Sequence, residues 1–218
     1  MKKIFVLLIV VAIVVTVILA ILQADESFTP IEAAKCPHGA IVVMDLQKDF
    51  IGDEAKYPVD KSQVEPMLKA VNSIVKSSKS LNLEVIYIDT KFSKDQWITN
   101  WFRNYAAIEE TEGVDLDERL LVQSKRLFTK KKQNAFTNNE FAAYLRERAI
   151  GKLVICGVFA DKCVSATARA AKKRGYSVTV VSDGIAAGNQ QAVTKTVRYL
   201  KRKGINFKSS ADLLSESN

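Results

Sequence analysis

The sequence places one cysteine where it could act as a nucleophile. Cys163 follows an apolar, β-branched run that begins at Leu153 and breaks at Gly157. It opens an alanine-rich segment that ends in basic residues and stops at Gly175. This pattern predicts a buried strand, a short turn and a helix with Cys163 in its first turn. Unpaired N–H groups and the helix dipole stabilise a thiolate there, although a small buried cysteine fits the same local pattern.

Two more reactive side chains come directly at the ends of predicted strands. Asp45 closes the apolar run that begins at Ala40, and Lys130 closes a short strand. Because the carboxyl ends of parallel strands meet at one edge of a sheet, Asp45, Lys130 and Cys163 are expected to lie together. Each has an ordinary explanation when taken alone, but the coincidence favours a functional site. His38, the only histidine, precedes the first predicted strand, so a carboxylate or a lysine is expected to act as the base.

Strands and helices alternate along the chain, which predicts a mostly parallel sheet covered by helices on both faces. Capping-box patterns at residues 62–65 and 137–140 predict two of the helix starts, and residues 46–58 are predicted to form a loop. The predicted strands cover residues 40–45, 83–89, 126–130, a run from 153, 176–183 and 205–207, and a polar tail follows.

Composition and charge argue against several other classes of protein. The 218 residues are enough for one well-filled domain. The formal net charge of +8 is spread over helix faces and ends, and no motif interleaves basic with aromatic residues, so no nucleic-acid partner is expected. Cys36, Cys156 and Cys163 show no CxxC spacing and no pairing with histidine. Neither a metal site nor another cofactor is therefore expected.

The first 24 residues predict a membrane segment. Residues 4–22 carry no charge, and at ~1.5 Å per residue a helix of this length just spans the hydrocarbon core. Two lysines precede the run and two acidic residues follow it, so the rest of the chain is expected on the non-cytoplasmic side. An uncleaved anchor is favoured over a cleaved signal, which would leave a secreted or periplasmic protein. Residues 25–38 then form a tether and residues 39–218 the folded domain.

Several motifs resemble the isochorismatase-like cysteine hydrolase superfamily, which includes nicotinamidases and other small amidohydrolases. The matching segments are VMDLQKDF at residues 43–50, Lys130 with NAF at residues 134–136, and GVFADKCVSATA at residues 157–168. VVSDG at residues 180–184 resembles the strand that follows in that family. The resemblance covers about residues 38–215.

The resemblance implies a three-layer α/β/α fold around a central parallel sheet, with a cis peptide bond between Val158 and Phe159. It also implies a catalytic triad of Asp45, Lys130 and Cys163. In the mechanism that these groups support, Asp45 takes the thiol proton, and the thiolate attacks an amide-type carbonyl to form a thioester. Backbone N–H groups of Phe159 and Cys163 are expected to hold the oxyanion. Asp45 then protonates the leaving amine and activates water against the thioester.

The substrate pocket is predicted from aromatic residues. Residues 90–122 show no clear period but carry a cluster of aromatic side chains, which is typical of a lid or a partner surface. The candidates to line the pocket are Phe50, Trp97, Tyr105 and Phe136. A small-molecule substrate is expected, but the sequence does not identify it. The oligomeric state is also left open, a homo-oligomer included.

Two departures from the family narrow the expected activity. Family nicotinamidases carry an Asp-x-His metal site where this chain has Asp89, Thr90 and Lys91, and a lysine cannot replace a metal-bound histidine. Siderophore-pathway isochorismatases act on an ether and need no cysteine nucleophile, so Cys163 argues against that activity. The alternative function is a non-catalytic, membrane-anchored interaction module that keeps the fold. Thiol labelling separates the two, since an activated Cys163 is expected to alkylate well below about pH 8.5.

Overall fold

The structure is a computed structural model that describes residues 30–215. Six strands run through these residues: β1 His38–Met44, β2 Leu83–Thr90, β3 Leu127–Lys130, β4 Ile150–Val158, β5 Ser177–Ala186 and β6 Asn206–Lys208. The α-helices are α1 Lys48–Ile51, α2 Lys61–Lys76, α3 Trp97–Phe102, α4 Asn139–Glu147, α5 Ser165–Lys173, α6 Gln190–Arg202 and α7 Ser210–Ser215. Short 3-10 helices cover Ala33–Lys35, Glu112–Val114 and Ala135–Thr137, and a π-helical turn covers Ala160–Val164.

The six strands form one parallel sheet in the order β3-β2-β1-β4-β5-β6. Each parallel pair needs a crossover connection, and the segments that carry the helices supply it. The strand order reverses between β1 and β4, which is where open α/β sheets bind their ligands. The predicted fold class, a three-layer α/β/α domain around a central parallel sheet, is confirmed.

Both faces of the sheet are buried under helices. In β1, Ile41 and Val43 belong to the core cluster that includes α2 and α7, whereas Val42 and Met44 belong to the cluster that includes α4, α5 and α6. A strand between two such layers has no polar face, which explains the continuous apolar run in the sequence. Burying each large aliphatic side chain contributes roughly 1.5–3 kcal/mol, so this central strand is a main source of stability.

The two helices with predicted capping boxes begin one or two residues away from the expected positions. The N-cap of α2 is Asp60, whose carboxylate accepts from the N–H of Ser62 at 3.0 Å. The N-cap of α4 is Asn138, whose side chain accepts from the N–H of Phe141 at 2.9 Å. Both helix starts have several capping residues within one turn. Carboxylate and amide oxygens accept from the first N–H groups of a helix as well as the predicted hydroxyls do.

Some segments without a predicted element have regular structure. The predicted loop at residues 46–58 contains α1, and the segment at residues 90–122 contains α3. A hydrogen bond holds the second segment against the first, because Asp49 Oδ2 accepts from the N–H of Ala107 at 2.7 Å. The predicted polar tail forms α7, because Leu213 is buried against the core on the α2 face. His38 is the first residue of β1 rather than a residue before it.

The predicted membrane segment, residues 1–24, lies outside the described residues. Within residues 30–215 no helix combines the length and the apolar character that a membrane crossing requires. The chain enters the domain at the amino-terminal edge of the sheet, where Ile31 N–H donates to the carbonyl of Arg174 at 2.8 Å, shortly before β5 begins. This edge is opposite the one at which the strands end.

Candidate active site

The site is built where β1 and β4 end side by side. Asp45 follows β1 with a φ of 56°, a left-handed conformation that few residues other than glycine adopt and that aspartate tolerates. Its N–H donates to the carbonyl of Ile88 in β2 at 2.8 Å. Gly157 in β4 has a φ of 113°, and a Cβ there would lie 2.0 Å from the carbonyl oxygen of Met44. Glycine therefore allows β4 to approach β1 next to Asp45.

Asp45, Lys130 and Cys163 meet beyond the carboxyl ends of β1, β3 and β4. Lys130 Nζ lies 2.9 Å from Asp45 Oδ2 and 3.4 Å from Cys163 Sγ. The ammonium and the carboxylate are each 1% exposed, so the pair is shielded from water. Oδ2 of Asp45 faces the Lys130 ammonium, whereas Oδ1 accepts from the hydroxyl of Thr90. Oδ2 is consequently the oxygen available to accept a proton.

Thr90, at the end of β2, holds the two charged groups together. Its Oγ1 donates to Asp45 Oδ1 at 2.7 Å and accepts a hydrogen bond from Lys130 Nζ. Since β2 lies between β1 and β3, its last residue is placed between the side chains that end those strands. Sequence reasoning missed this role, although the position of Thr90 at a strand end beside the predicted site was a usable signal.

Gln47 in turn fixes the backbone of Thr90. Its Oε1 accepts from the N–H of Thr90 at 2.8 Å, and its Nε2 donates to the carbonyls of Thr90 at 2.9 Å and Val114 at 2.8 Å. The side chain is completely buried, and three hydrogen bonds offset the cost of desolvating its amide. Gln47 therefore joins the end of β2 to the segment that follows α3, a contact that no local pattern predicts.

The charges of the site favour a neutral thiol beside an ion pair. Burial by itself lowers the pKa of Lys130, but the Asp45 carboxylate and the Cys163 sulfur outweigh it and raise that pKa above the usual lysine value. Burial, with a smaller contribution from Asp45, raises the pKa of Cys163 to about 12 against the opposing effect of Lys130. Desolvation thus opposes the low thiol pKa that the sequence predicts, and the reactivity of Cys163 towards alkylation stays a prediction.

Cys163 lies in a π-helical turn that precedes α5, rather than in the first turn of the helix as predicted. The N–H of Val164 donates to the carbonyl of Phe159 at 3.2 Å, which closes the wide turn, and α5 continues from Ser165. Single π turns of this kind are frequent at functional sites. The peptide bond between Val158 and Phe159 is cis, as the resemblance implies.

A cavity of about 250 Å³ opens over the three side chains. Its walls include the aromatic residues Phe50, Tyr57, Phe92 and Phe159. Phe159 packs edge-on against Phe50, with ring centroids 5.6 Å apart, and against Tyr57 at 5.3 Å. Because Cys163, Asp45 and Lys130 also line this cavity, a small molecule bound between the aromatic walls would contact the thiol.

Comparison with known proteins agrees with this geometry. The family model of the isochorismatase domain matches residues 39–212, which is most of the chain. The chain belongs to the isochorismatase family. This isochorismatase-like hydrolase is 27% identical over 160 residues to YddQ, an uncharacterized isochorismatase family protein of Bacillus subtilis, covering 72% of this chain and 83% of that one. It is 22% identical over 184 residues to the ureidoacrylate amidohydrolase RutB of Azorhizobium caulinodans, covering 73% and 81%.

Solved structures share the fold of this isochorismatase-like hydrolase. An isochorismatase-like hydrolase from Alkaliphilus metalliredigens superposes with a TM-score of 0.76 at 22% identity, covering 83% of this chain and 100% of that one. The nicotinamidase PncA from Bacillus subtilis superposes with a TM-score of 0.69 at 19% identity, covering 78% and 98%. At these identities the likeness establishes the fold alone.

Of the four predicted pocket residues, Phe50 lines the cavity of the hydrolase and the other three do not. Trp97 and Tyr105 lie on the surface, 68% and 48% exposed. Phe136 is buried on the other side of the sheet, where it packs against Phe141 and Tyr176. Aromatic character alone misassigned them, because a large apolar side chain is equally suited to a core, a surface and a pocket. Tyr57, Phe92, Arg103 and Lys162, which line the cavity, were missed as pocket residues.

The position at which family nicotinamidases carry metal-binding histidine is occupied by an ion pair in this hydrolase. Lys91 Nζ lies 3.3 Å from Asp89 Oδ2, and the Asp89 carboxylate is buried. Across the part of the chain that the structure describes, no group of three or more histidine, cysteine and acidic side chains is arranged to hold a metal ion. A cation already neutralises the carboxylate that would be the first ligand.

Proposed function

We propose that this protein is a membrane-anchored cysteine hydrolase that cleaves an amide-type C–N bond of a small molecule through a thioester. The observation that carries the proposal is the contact of Cys163 with a buried Asp45–Lys130 ion pair at the base of a cavity. A binding module has no use for a buried charge pair beside a thiol, because burying charges is costly unless they serve a purpose.

The first half of the reaction conserves the charge of the site. Transfer of the thiol proton from Cys163 to Asp45 replaces one anion with another, and Lys130 can pair with either because it lies near both. The thiolate attacks the carbonyl carbon of the substrate. As the C–N bond breaks, Asp45 returns its proton to the leaving nitrogen, and an acyl group remains on Cys163.

The second half hydrolyses the thioester. Ionised Asp45 takes a proton from water, the resulting hydroxide attacks the acyl carbon, and the proton returns to the sulfur as the carboxylic acid leaves. Thr90 keeps the side chains of Asp45 and Lys130 in position during both halves of the reaction, since its hydroxyl forms a hydrogen bond with each of them. Stabilisation of the oxyanion by the backbone N–H groups of Phe159 and Cys163 stays a prediction.

The names of similar proteins support amide chemistry. A curated relative is a ureidoacrylate amidohydrolase, and a structural neighbour is a nicotinamidase. The Lys91–Asp89 pair argues against a metal-dependent nicotinamidase for this chain. The substrate of this protein is therefore proposed only as a small amide-type molecule.

A screen with product detection tests the activity. The full-length protein in mild detergent is offered a panel of small amides, ammonia release is measured, and intact mass is recorded after acid quenching. An acyl adduct on the peptide that contains Cys163 is expected, and Cys36→Ala should form it as the wild type does. Turnover that persists in Cys163→Ala would contradict the cysteine mechanism and favour the anchored interaction module.

The anchor is proposed from residues 4–22, with the domain on the non-cytoplasmic side. Within the described residues, the chain enters the domain at the amino-terminal edge of the sheet, opposite the edge that carries the cavity. Full-length protein should stay with membranes after a carbonate wash, and protease should reach the domain only from the non-cytoplasmic side. A soluble form with a new N-terminus near Asp25 would show a cleaved signal and a secreted or periplasmic protein instead.

A further inference from the structure

The cavity carries far more positive than negative charge. Five cationic side chains line it, whereas Asp45 is the single carboxylate among the residues that form its walls. Lys130 is already paired with Asp45. The other four are Arg103, Lys131, Lys132 and Lys162, and none of them forms an ion pair with a carboxylate within residues 30–215. The unpaired charge of the walls is therefore positive.

Arg103 is the most informative of these cations. Its guanidinium stacks on the ring of Phe92, 3.5 Å from the centroid, and one nitrogen donates to Asn100 Oδ1 at 2.6 Å. Its Nε is buried and has no hydrogen-bond acceptor. Burial lowers the pKa of Arg103, because removing water disfavours the charged form. A partly buried guanidinium whose Nε has no acceptor would be stabilised by an anion.

Lys162 adds a second cation next to the nucleophile in the chain. Its ammonium donates to the hydroxyl of Tyr57 and lies 4.4 Å from the centroid of the Tyr57 ring and 4.8 Å from that of Phe159. These rings are walls of the cavity, so the ammonium is held at its surface. Aromatic faces and a hydroxyl satisfy the lysine only in part, since they carry no full negative charge.

We infer that the substrate is an anionic amide whose carboxylate is bound by Arg103 and Lys162 while Cys163 attacks its amide carbon. The inference rests on the proposed function and names the class of molecule that the site accepts. A planar guanidinium binds a carboxylate through two parallel hydrogen bonds, which fixes the orientation of the substrate as well as its charge. The aromatic walls would contact the apolar part that joins the carboxylate to the amide.

Two alkylating reagents of similar size test the inference without a known substrate. Iodoacetate is an anion and iodoacetamide is neutral. In both reactions Cys163 Sγ forms a bond to the methylene carbon, iodide leaves, and the thiol proton passes to Asp45. The full-length protein in mild detergent is treated with each reagent, and modification of Cys163 is followed by mass spectrometry. Free glutathione under the same conditions gives the intrinsic reactivity ratio of the two reagents.

The wild-type protein should favour iodoacetate over iodoacetamide by at least tenfold relative to glutathione, with a rate that saturates, as expected for a charge-assisted site. Arg103→Gln should lose most of this preference for iodoacetate over iodoacetamide. Arg126→Gln is the matched control, because Arg126 also stacks on an aromatic ring, that of Tyr144, but does not line the cavity. It should keep the wild-type ratio.

A second measurement needs no variant. Benzoate should protect Cys163 of the wild-type protein from iodoacetamide, whereas benzyl alcohol, its neutral counterpart, should not. A reagent ratio equal to that of glutathione, together with equal protection by both compounds, would overturn the anionic-substrate inference and leave the cysteine nucleophile intact. Failure of both reagents to modify Cys163 would instead contradict the proposed function, and the inference with it.

Discussion

Cys156 and Cys163 lie on either side of the carboxyl end of β4, in regions of opposite character. Cys156 is in the apolar core, where its Sγ lies 3.8 Å from the carbonyl of Val42, and burial raises its pKa. Cys163 is partly exposed to the cavity and also has a raised pKa, but Lys130 lies 3.4 Å from its sulfur and Asp45 belongs to the same cluster of charges. The difference teaches that loss of water favours the neutral thiol at both cysteines, and that only the end of the strand supplies a base and a cation that allow the proton to leave.

The largest difference between the two regions should appear on changing each cysteine to serine. Cys163→Ser should lower kcat by ~10³-fold or more, because a hydroxyl in this place is a far weaker nucleophile. Cys156→Ser should retain turnover and reduce the free energy of unfolding by about 1–2 kcal/mol, since it puts a hydroxyl into an apolar site. Turnover on a substrate from the amide panel and urea unfolding measure the two effects. An equal loss of kcat in Cys163→Ser and Cys156→Ser would contradict the assignment of Cys163 alone as the nucleophile.

The charges that distinguish the two regions should also be costly to disrupt. Lys130→Met should destabilise the protein by about 3–5 kcal/mol, because it leaves the Asp45 carboxylate buried and unpaired. The double variant Asp45→Asn with Lys130→Met should recover much of that stability but no activity. Lys132→Met, at an exposed neighbouring position, should stay within about 0.5 kcal/mol of the wild type in urea unfolding. A loss of less than about 1 kcal/mol in the free energy of unfolding of Lys130→Met would contradict a buried ion pair, because a hydrated pair costs little to break.

The pKa of the Cys163 thiol should respond to its two charged neighbours in opposite directions. Asp45→Asn should lower this pKa, because the carboxylate disfavours the thiolate, and yet it should abolish hydrolysis by removing the base. Lys130→Met should raise it by removing the cation. The pH dependence of Cys163 alkylation, resolved by mass spectrometry, measures both shifts. Wild-type thiolate forming near pH 7 would contradict the raised pKa.

The smallest effect is expected at Thr90, a positioning residue. Thr90→Val keeps the shape but loses the hydrogen bonds to Asp45 and Lys130, so kcat should fall about tenfold while KM changes little. Thr90→Ser should restore most of the rate and the wild-type pH profile, because the hydroxyl returns. Thr179→Val, a buried threonine of β5 outside the site, is the matched control. A similar loss of kcat in both valine variants would point to a general packing effect.

The fold and the meeting of the three reactive side chains could be predicted because both depend on short-range patterns. An apolar run that ends in Asp45, a short strand that ends in Lys130 and an apolar run that breaks before Cys163 define strands whose ends share one edge of a parallel sheet. The pocket could not be predicted in this way. Trp97 and Phe136 have the same aromatic character as Phe50, and nothing local distinguishes a surface, a core and a cavity wall.

The sequence by itself determined the order of the elements, the identity of the reactive groups and the apolar segment at residues 4–22. Only the tertiary structure decided the environment of those groups. It placed Thr90 between Asp45 and Lys130 through the strand order, and it removed enough water from Cys163 to raise the pKa of the thiol rather than lower it. Hydrogen bonds and desolvation at the site arise between residues distant in the chain, and their strength depends on distances and on exclusion of water that no local pattern encodes.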